Sequence, residues 1–152
     1  MTQVGEGASA TSFETDLAPE AQPLSFDLNG ETVHTEAEPG EQLLEVLRER
    51  LGSTSAKDGC MPQGQCGACT VLIDGKPRLS CNLEAQRVAG KLVTTLEGLS
   101  AGRRELLTEA FVRAGGLQCG YCIPGIVMRA HTLLERMAGG EAMDRARIAR
   151  LM

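Results

Sequence analysis

An α+β chain is predicted, with a small sheet crossed by one helix in its first two thirds and helices alone thereafter. Three observations lead there. Alternating stretches are joined by the turn pairs Asn29-Gly30 and Asp74-Gly75. A leucine stripe at helical spacing lies between those hairpins. From residue 103 onward, apolar residues recur on helical faces with no strand signal. The 152 residues, 42% hydrophobic and 23% charged, have ordinary globular composition and suffice for two small units. No apolar run approaches the roughly 20 residues that a transmembrane helix needs. The opening MTQVGEGASATSFETD has neither a basic nor an apolar segment of the secretory kind. The expected compartment is therefore the cytoplasm, with no membrane association.

Residues 1–23, rich in Ala, Glu, Thr, Gly and Pro without apolar period, are expected to form a disordered tail. LSFDL (24–28) and TVHTE (32–36) then flank Asn29-Gly30 as a hairpin, and Pro39-Gly40 ends the second strand. EQLLEVLRERL (41–51) places Leu43, Leu44, Leu47 and Leu51 on one helical face, with acids early, Arg late and Gly52 as a stop. A glycine- and cysteine-rich loop from about Gly59 to Ala68 leads into CTVLI (69–73). The chain turns at Asp74-Gly75 and returns through Pro77 to Cys81. KLVTTLEGL (91–99) reads as one more short strand. Hairpin, helix, loop, hairpin and strand in that order predict a β-grasp sheet.

The second unit begins with RRELLTEAFVRAG, whose Leu106, Leu107, Ala110, Phe111 and Ala114 share a face and whose end is Gly115-Gly116. IPGIVMRAHTLLERM repeats the pattern, and a third short helix runs from near Met143-Asp144 to Met152. That helix stops while still periodic, without a cap, so the chain is expected to be truncated at this end.

Net charge is -5, unevenly spread. Residues 1–23 hold four acids and no cation, whereas 101–152 hold eight Arg against five acids. The cations are dispersed and not interleaved with aromatics, which argues against nucleic acid. No phosphate-binding loop, dinucleotide fingerprint or G-x-S-x-G is present, so nucleotide binding and acyl transfer have no support.

All six cysteines lie between residues 60 and 122. In a reducing compartment such clustering points to metal more than to disulfides. The first set is Cys60-x5-Cys66-x2-Cys69-x11-Cys81, and thiolates are soft ligands for zinc or iron–sulfur centres. Three features favour iron–sulfur. The leading three cysteines share one loop with Gly59, Gly64 and Gly67, whose freedom lets amide N–H groups face bridging sulfides. Folding 69–81 about Asp74-Gly75-Lys76 is expected to set Cys69 opposite Cys81, about 5 Å apart at Cα. The spacing also differs by one residue from the plant-type C-x4-C-x2-C pattern. A zinc site and four buried free cysteines are the alternatives. The second set, Gln118-Cys119-Gly120-Tyr121-Cys122-Ile123-Pro124-Gly125, puts two cysteines at the start of a helix with Pro124 in its first turn. Two ligands make half a centre.

CMPQGQCGACTVLIDGKPRLSC followed by QCGYCIPG resembles the iron–sulfur subunits of the xanthine dehydrogenase/molybdenum hydroxylase family, which includes aldehyde oxidoreductases and aerobic carbon monoxide dehydrogenase. The resemblance covers roughly 24–152. It implies a 2Fe-2S ferredoxin-like domain (24–98) and a helical [2Fe-2S]-binding domain (99–152), incomplete at its C-terminus. It implies that Cys60, Cys66, Cys69 and Cys81 ligate one cluster, and that Cys119 and Cys122 supply half the ligands of a second. Gln118 matches a family residue that touches the pterin of the molybdenum cofactor. The implied function is electron transfer from a molybdenum site on a large partner subunit to a flavin subunit or another acceptor, with no catalytic residue on this chain. Two departures stand out. The family usually has four residues between its first two cysteines, where Met61 to Gln65 makes five, and it carries a later C-x-C pair, whereas no cysteine follows Cys122.

Two further readings come from other classes: a zinc-stabilised interaction module without redox role, and a stand-alone [2Fe-2S] ferredoxin. The remaining candidates have plainer explanations. His34 sits on a strand away from cysteine, and His131 lies within a helix beside its apolar face. Met128, Met137, Met143 and Met152 fit helix packing, and Arg145, Arg147 and Arg150 fit a solvated helix face.

Overall fold

A computed structural model describes residues 20–152; most of the segment expected as a tail, residues 1–19, lies outside the described residues. Strand β1 (Gln22–Leu28) and β2 (Glu31–Ala37) form an antiparallel hairpin with Leu28 opposite Glu31. Its two-residue turn has φ of 58° at Asn29 and 92° at Gly30, the left-handed pair that Asn-Gly tolerates. The strand starts two residues earlier than the alternation suggested.

The expected helix forms over a shorter span and with a different winding. Helix α1 (Leu43–Glu45) continues directly into a π-wound turn, Val46–Arg50. The Leu51 N–H donates to the Val46 carbonyl at 3.1 Å, a wider loop than the α-helical one. The wider winding keeps Leu43, Val46 and Leu47 all buried against the sheet.

Strands β3 (Thr70–Ile73) and β4 (Lys76–Leu79) form the second hairpin, and β5 (Leu92–Thr94) completes a five-stranded sheet in the order β2-β1-β5-β3-β4. β5 runs parallel to β1 and antiparallel to β3. This short strand is the middle of the sheet, and Val93 is wholly buried. Phe26, Leu43, Val46, Leu47, Val71 and Val93 belong to one core between sheet and helix.

Helices α2 (Ala101–Arg113), α3 (Ile123–Ala138) and α4 (Arg145–Leu151) form the second part. Ser100 caps α2 by accepting from the Arg103 N–H, and Asp144 caps α4 by accepting from that of Arg147. Helix α3 packs on the other face of β3, so that Leu72 joins Leu99, Leu107, Val127 and Met128 in a second core. That is why all four residues of β3 are buried and why Val71, Leu72 and Ile73 form an apolar run where a half-exposed strand would alternate. The expected α2 face is covered only in part: Leu107 is buried, whereas Leu106 remains exposed. Among the described residues no helix is long and apolar enough to cross a membrane.

Candidate metal centre

The segment leading into the cysteine loop is anchored from both sides. Arg48 donates to the carbonyls of Thr54 (3.1 Å) and Ala56 (2.8 Å). The Lys57 N–H donates to the Ala68 carbonyl at 3.1 Å, closing the loop at its neck. Inside it, the Asp58 carboxylate accepts from the Met61 N–H at 2.9 Å, which holds Met61 at a φ of 53°. Gly64 and Gly67 have φ of 66° and 76°, a backbone conformation that side chains disfavour.

This path brings the first four cysteines together as two pairs. Cys60 and Cys66 interact through their thiols, and backbone N–H groups of Cys66, Gln65 and Gln63 point at the Cys60 sulfur. Those amides, led by that of Cys66 and joined by its thiol, bring the Cys60 thiol down to about 7 against the opposing effect of burial. Cys81 meets the Cys69 thiol, and the Gly64 N–H faces the Cys81 sulfur. Burial first, then the bond to Cys69 and the proximity of its charge, push Cys81 up to about 12. One pair thus lies buried beneath the loop, with the Cys81 thiol pushed up, and the other lies at its rim, with the Cys60 thiol brought down. Cys66 is exposed, whereas Cys69 and Cys81 are both buried. Among the described residues, no three Cys, His, Asp or Glu side chains group so as to hold a single metal ion.

The hairpin between Cys69 and Cys81 differs from expectation by one residue. Ile73 pairs with Lys76 and Thr70 with Leu79, so the turn has two residues, with φ of 49° at Asp74 and 74° at Gly75. The residue beyond Leu79 in register with Cys69 is therefore Ser80, whose N–H (3.3 Å) and hydroxyl (2.8 Å) both donate to the Cys69 carbonyl. A 3-10 turn over Ser80–Asn82 then brings the Cys81 thiol back to that of Cys69.

Cys119 and Cys122 are exposed, Cys122 standing at the N-cap of α3 with Pro124 in the first turn. Gln118 is exposed beside them. The motif does not stand apart from the first loop. The Tyr121 hydroxyl donates to the Asp58 carbonyl at 2.5 Å. A Cβ on Gly59 would lie 2.9 Å from the Cys66 sulfur and 3.4 Å from the Tyr121 ring. A Cβ on Gly125 would strike the Gly67 carbonyl oxygen and lie 3.0 Å from the Ala68 Cα. Sequence reasoning missed Gly59, Tyr121 and Gly125 as parts of one contact. Its only trace was a glycine in the first turn of a helix, where glycine is unfavourable unless another backbone comes close. His34 is exposed on β2, and His131 is part-buried within α3 with Nδ1 lacking a hydrogen-bond partner.

Residues 26–96 match the family described as a 2Fe-2S iron-sulfur cluster binding domain, and residues 95–152 match a [2Fe-2S] binding domain. The nicotinate dehydrogenase small FeS subunit of Eubacterium barkeri is 42% identical over 114 residues, covering 74% of this chain and 72% of the relative. The chain belongs to the iron–sulfur subunits of the xanthine dehydrogenase/molybdenum hydroxylase family. The xanthine dehydrogenase iron-sulfur-binding subunit of Escherichia coli is 41% identical over 114 residues, with coverage of 74% and 70%. The crystal structure of quinoline 2-oxidoreductase from Pseudomonas putida superposes with a TM-score of 0.76 at 37% identity, over 87% of this chain and 80% of that one. This iron–sulfur subunit is an electron-transfer component of an oxidoreductase, it carries [2Fe-2S] chemistry, and it works with larger partner subunits. A ferredoxin-like sheet domain followed by a helical [2Fe-2S] domain is the arrangement found.

Proposed function

We propose that Cys60, Cys66, Cys69 and Cys81 hold one complete [2Fe-2S] centre and that Cys119 and Cys122 supply two ligands of a second. The remaining ligands of that second centre are not among the six cysteines of this sequence. The observation that carries the reading is the arrangement of the first four thiols as two pairs beneath inward-facing amides of residues 63–66. Such a set suits an anionic, sulfide-bridged pair of irons, because N–H dipoles offset its negative charge. When bound, the centre supplies reversible one-electron storage.

The chain's own residues do the rest. Cys69 and Cys81 give a buried anchor that must lose its protons as metal binds. Cys60, already tuned toward thiolate, offers ligation at neutral pH. Gly59 keeps side-chain bulk away from the Cys66 sulfur, and Gly64 and Gly67 supply the positive-φ turns of the loop. In the same reading, Gln118 contacts the pterin of a molybdenum cofactor on a large partner subunit, and electrons leave to a flavin subunit. Residues 24–98 and 99–152 are the two domains, and the complex works in the cytoplasm.

Metal and acid-labile sulfide analysis of the purified complex tests this reading against its zinc-bound alternative. Two irons with two sulfides, or more, per chain and a visible iron–sulfur spectrum are expected. Stoichiometric zinc in a colourless chain overturns it.

A further inference from the structure

We propose that Tyr121 is a positioning residue through which the second cysteine motif sets the environment of the first: its ring covers Gly59 beside Cys66 while its hydroxyl holds the Asp58 carbonyl. The inference rests on the reading that Cys60, Cys66, Cys69 and Cys81 hold a [2Fe-2S] centre, and it concerns a residue that ligates neither.

Tyr121 sits between Cys119 and Cys122 in sequence, yet its polar contact lies 63 residues away, in the loop of the first motif. The bond goes to Asp58, whose carboxylate in turn fixes Met61. The residues bracketing Cys60 are therefore gripped from outside by Tyr121 and from within by Asp58. Gly59 lies between the Tyr121 ring and the Cys66 sulfur, with no room for a side chain there. Gly125, on the turn of α3 that follows, rests on Gly67 and Ala68. The two motifs thus share a backbone-to-backbone contact at one end and an aromatic bridge at the other.

The sign follows from solvation. Cys66 is exposed, and the adjoining ring limits the approach of water from its own side. Reduction adds negative charge, which water stabilises, so exposing the sulfur raises the reduction potential. The hydroxyl contributes separately, by restricting motion of the loop.

The test uses the assembled complex carrying Tyr121→Phe or Tyr121→Leu, with iron content measured first. Tyr121→Phe keeps the ring and loses one hydrogen bond. Amide exchange over 59–61 is expected to speed up about fivefold, as one net hydrogen bond implies, with the first centre's potential near wild type. Tyr121→Leu loses both, and dithionite titration followed by electron paramagnetic resonance is expected to show about a threefold higher reduced-to-oxidised ratio at fixed poise. That equals about 28 mV at 59 mV per tenfold for one electron. A purely structural residue would lower iron occupancy while leaving the potential of the retained centres unchanged. Wild-type exchange and wild-type potential in both variants overturn the inference and leave the cluster reading standing. A wild-type complex with no reducible centre overturns both.

Discussion

Gly125→Ala offers a sharp test of how the two domains meet. Helix propensity alone makes this change favourable by about 1 kcal/mol, because alanine restricts the unfolded chain and glycine does not. The packing says the opposite. The added methyl would strike the Gly67 carbonyl and come within 3.0 Å of the Gly67 carbonyl carbon and the Ala68 Cα. These are backbone atoms, so no rotamer change relieves the clash. Either α3 lifts from β3, loosening Val127 and Met128 in the second core, or the loop carrying Cys66 and Cys69 shifts. Overpacking of this kind costs about 1–3 kcal/mol, and the rigid partners favour the upper part of that range. The net is a loss of about 1–2 kcal/mol, or roughly 3–6 °C in Tm for a chain of this size. Gly102→Ala is the matched control: it lies in α2 with nothing within 4 Å of the new methyl, and a gain of about 0.5–1 kcal/mol is expected. Thermal unfolding of the full chain by circular dichroism compares the two. If Gly125→Ala melts at or above wild type, the backbone contact between α3 and the cysteine loop is not there.

The other predictions concern the loop, the buried polar links and pH. Gly59→Ala places a methyl 2.9 Å from the Cys66 sulfur and should lower iron per chain, while a normal far-ultraviolet spectrum shows the fold retained; full iron loading would contradict it. Thr95 is wholly buried, taking a bond from Asn29 Nδ2 at 3.0 Å and one from the Ser53 hydroxyl at 3.2 Å. Thr95→Val leaves both donors short of an acceptor, and denaturant titration should show a loss of about 1–3 kcal/mol. Glu97 is pushed up by burial, but bonds from Ser55, at 2.5 Å to its hydroxyl, and from Thr95 together hold it below its ordinary 4.5. A lowered folded value means stability that is present above the unfolded value and lost as pH falls through the folded one. Glu97→Gln should therefore flatten the acid limb of the stability–pH curve below about pH 4.5.

What the sequence made legible was local. Asn29-Gly30, the leucine stripe and the three helical faces each carry their signal within a few residues, and each reappears as an element close to its expected place. The cysteine spacing likewise carried the chemistry. Two features were misread for identifiable reasons. Asp74-Gly75 supports a two-residue turn with both residues at positive φ, so counting Lys76 into the turn slipped the register by one. The π-wound turn after α1 has the same leucine spacing as an α-helix and depends on tertiary packing. The contacts among Asp58, Tyr121, Gly67 and Gly125 join residues far apart in sequence, and pattern reading has no access to them. The partial exposure of α2 was also hidden, because its periodicity says which face is apolar and not what covers it.

The central claim is that this chain holds a redox centre on its first four cysteines. Electron paramagnetic resonance of dithionite-reduced complex, prepared anaerobically as wild type, Cys81→Ala and Cys119→Ala, measures it most directly. The signal assigned to the first centre should be present in wild type, absent in Cys81→Ala and retained in Cys119→Ala. A signal that survives Cys81→Ala unchanged, or that never appears in wild type, contradicts the account.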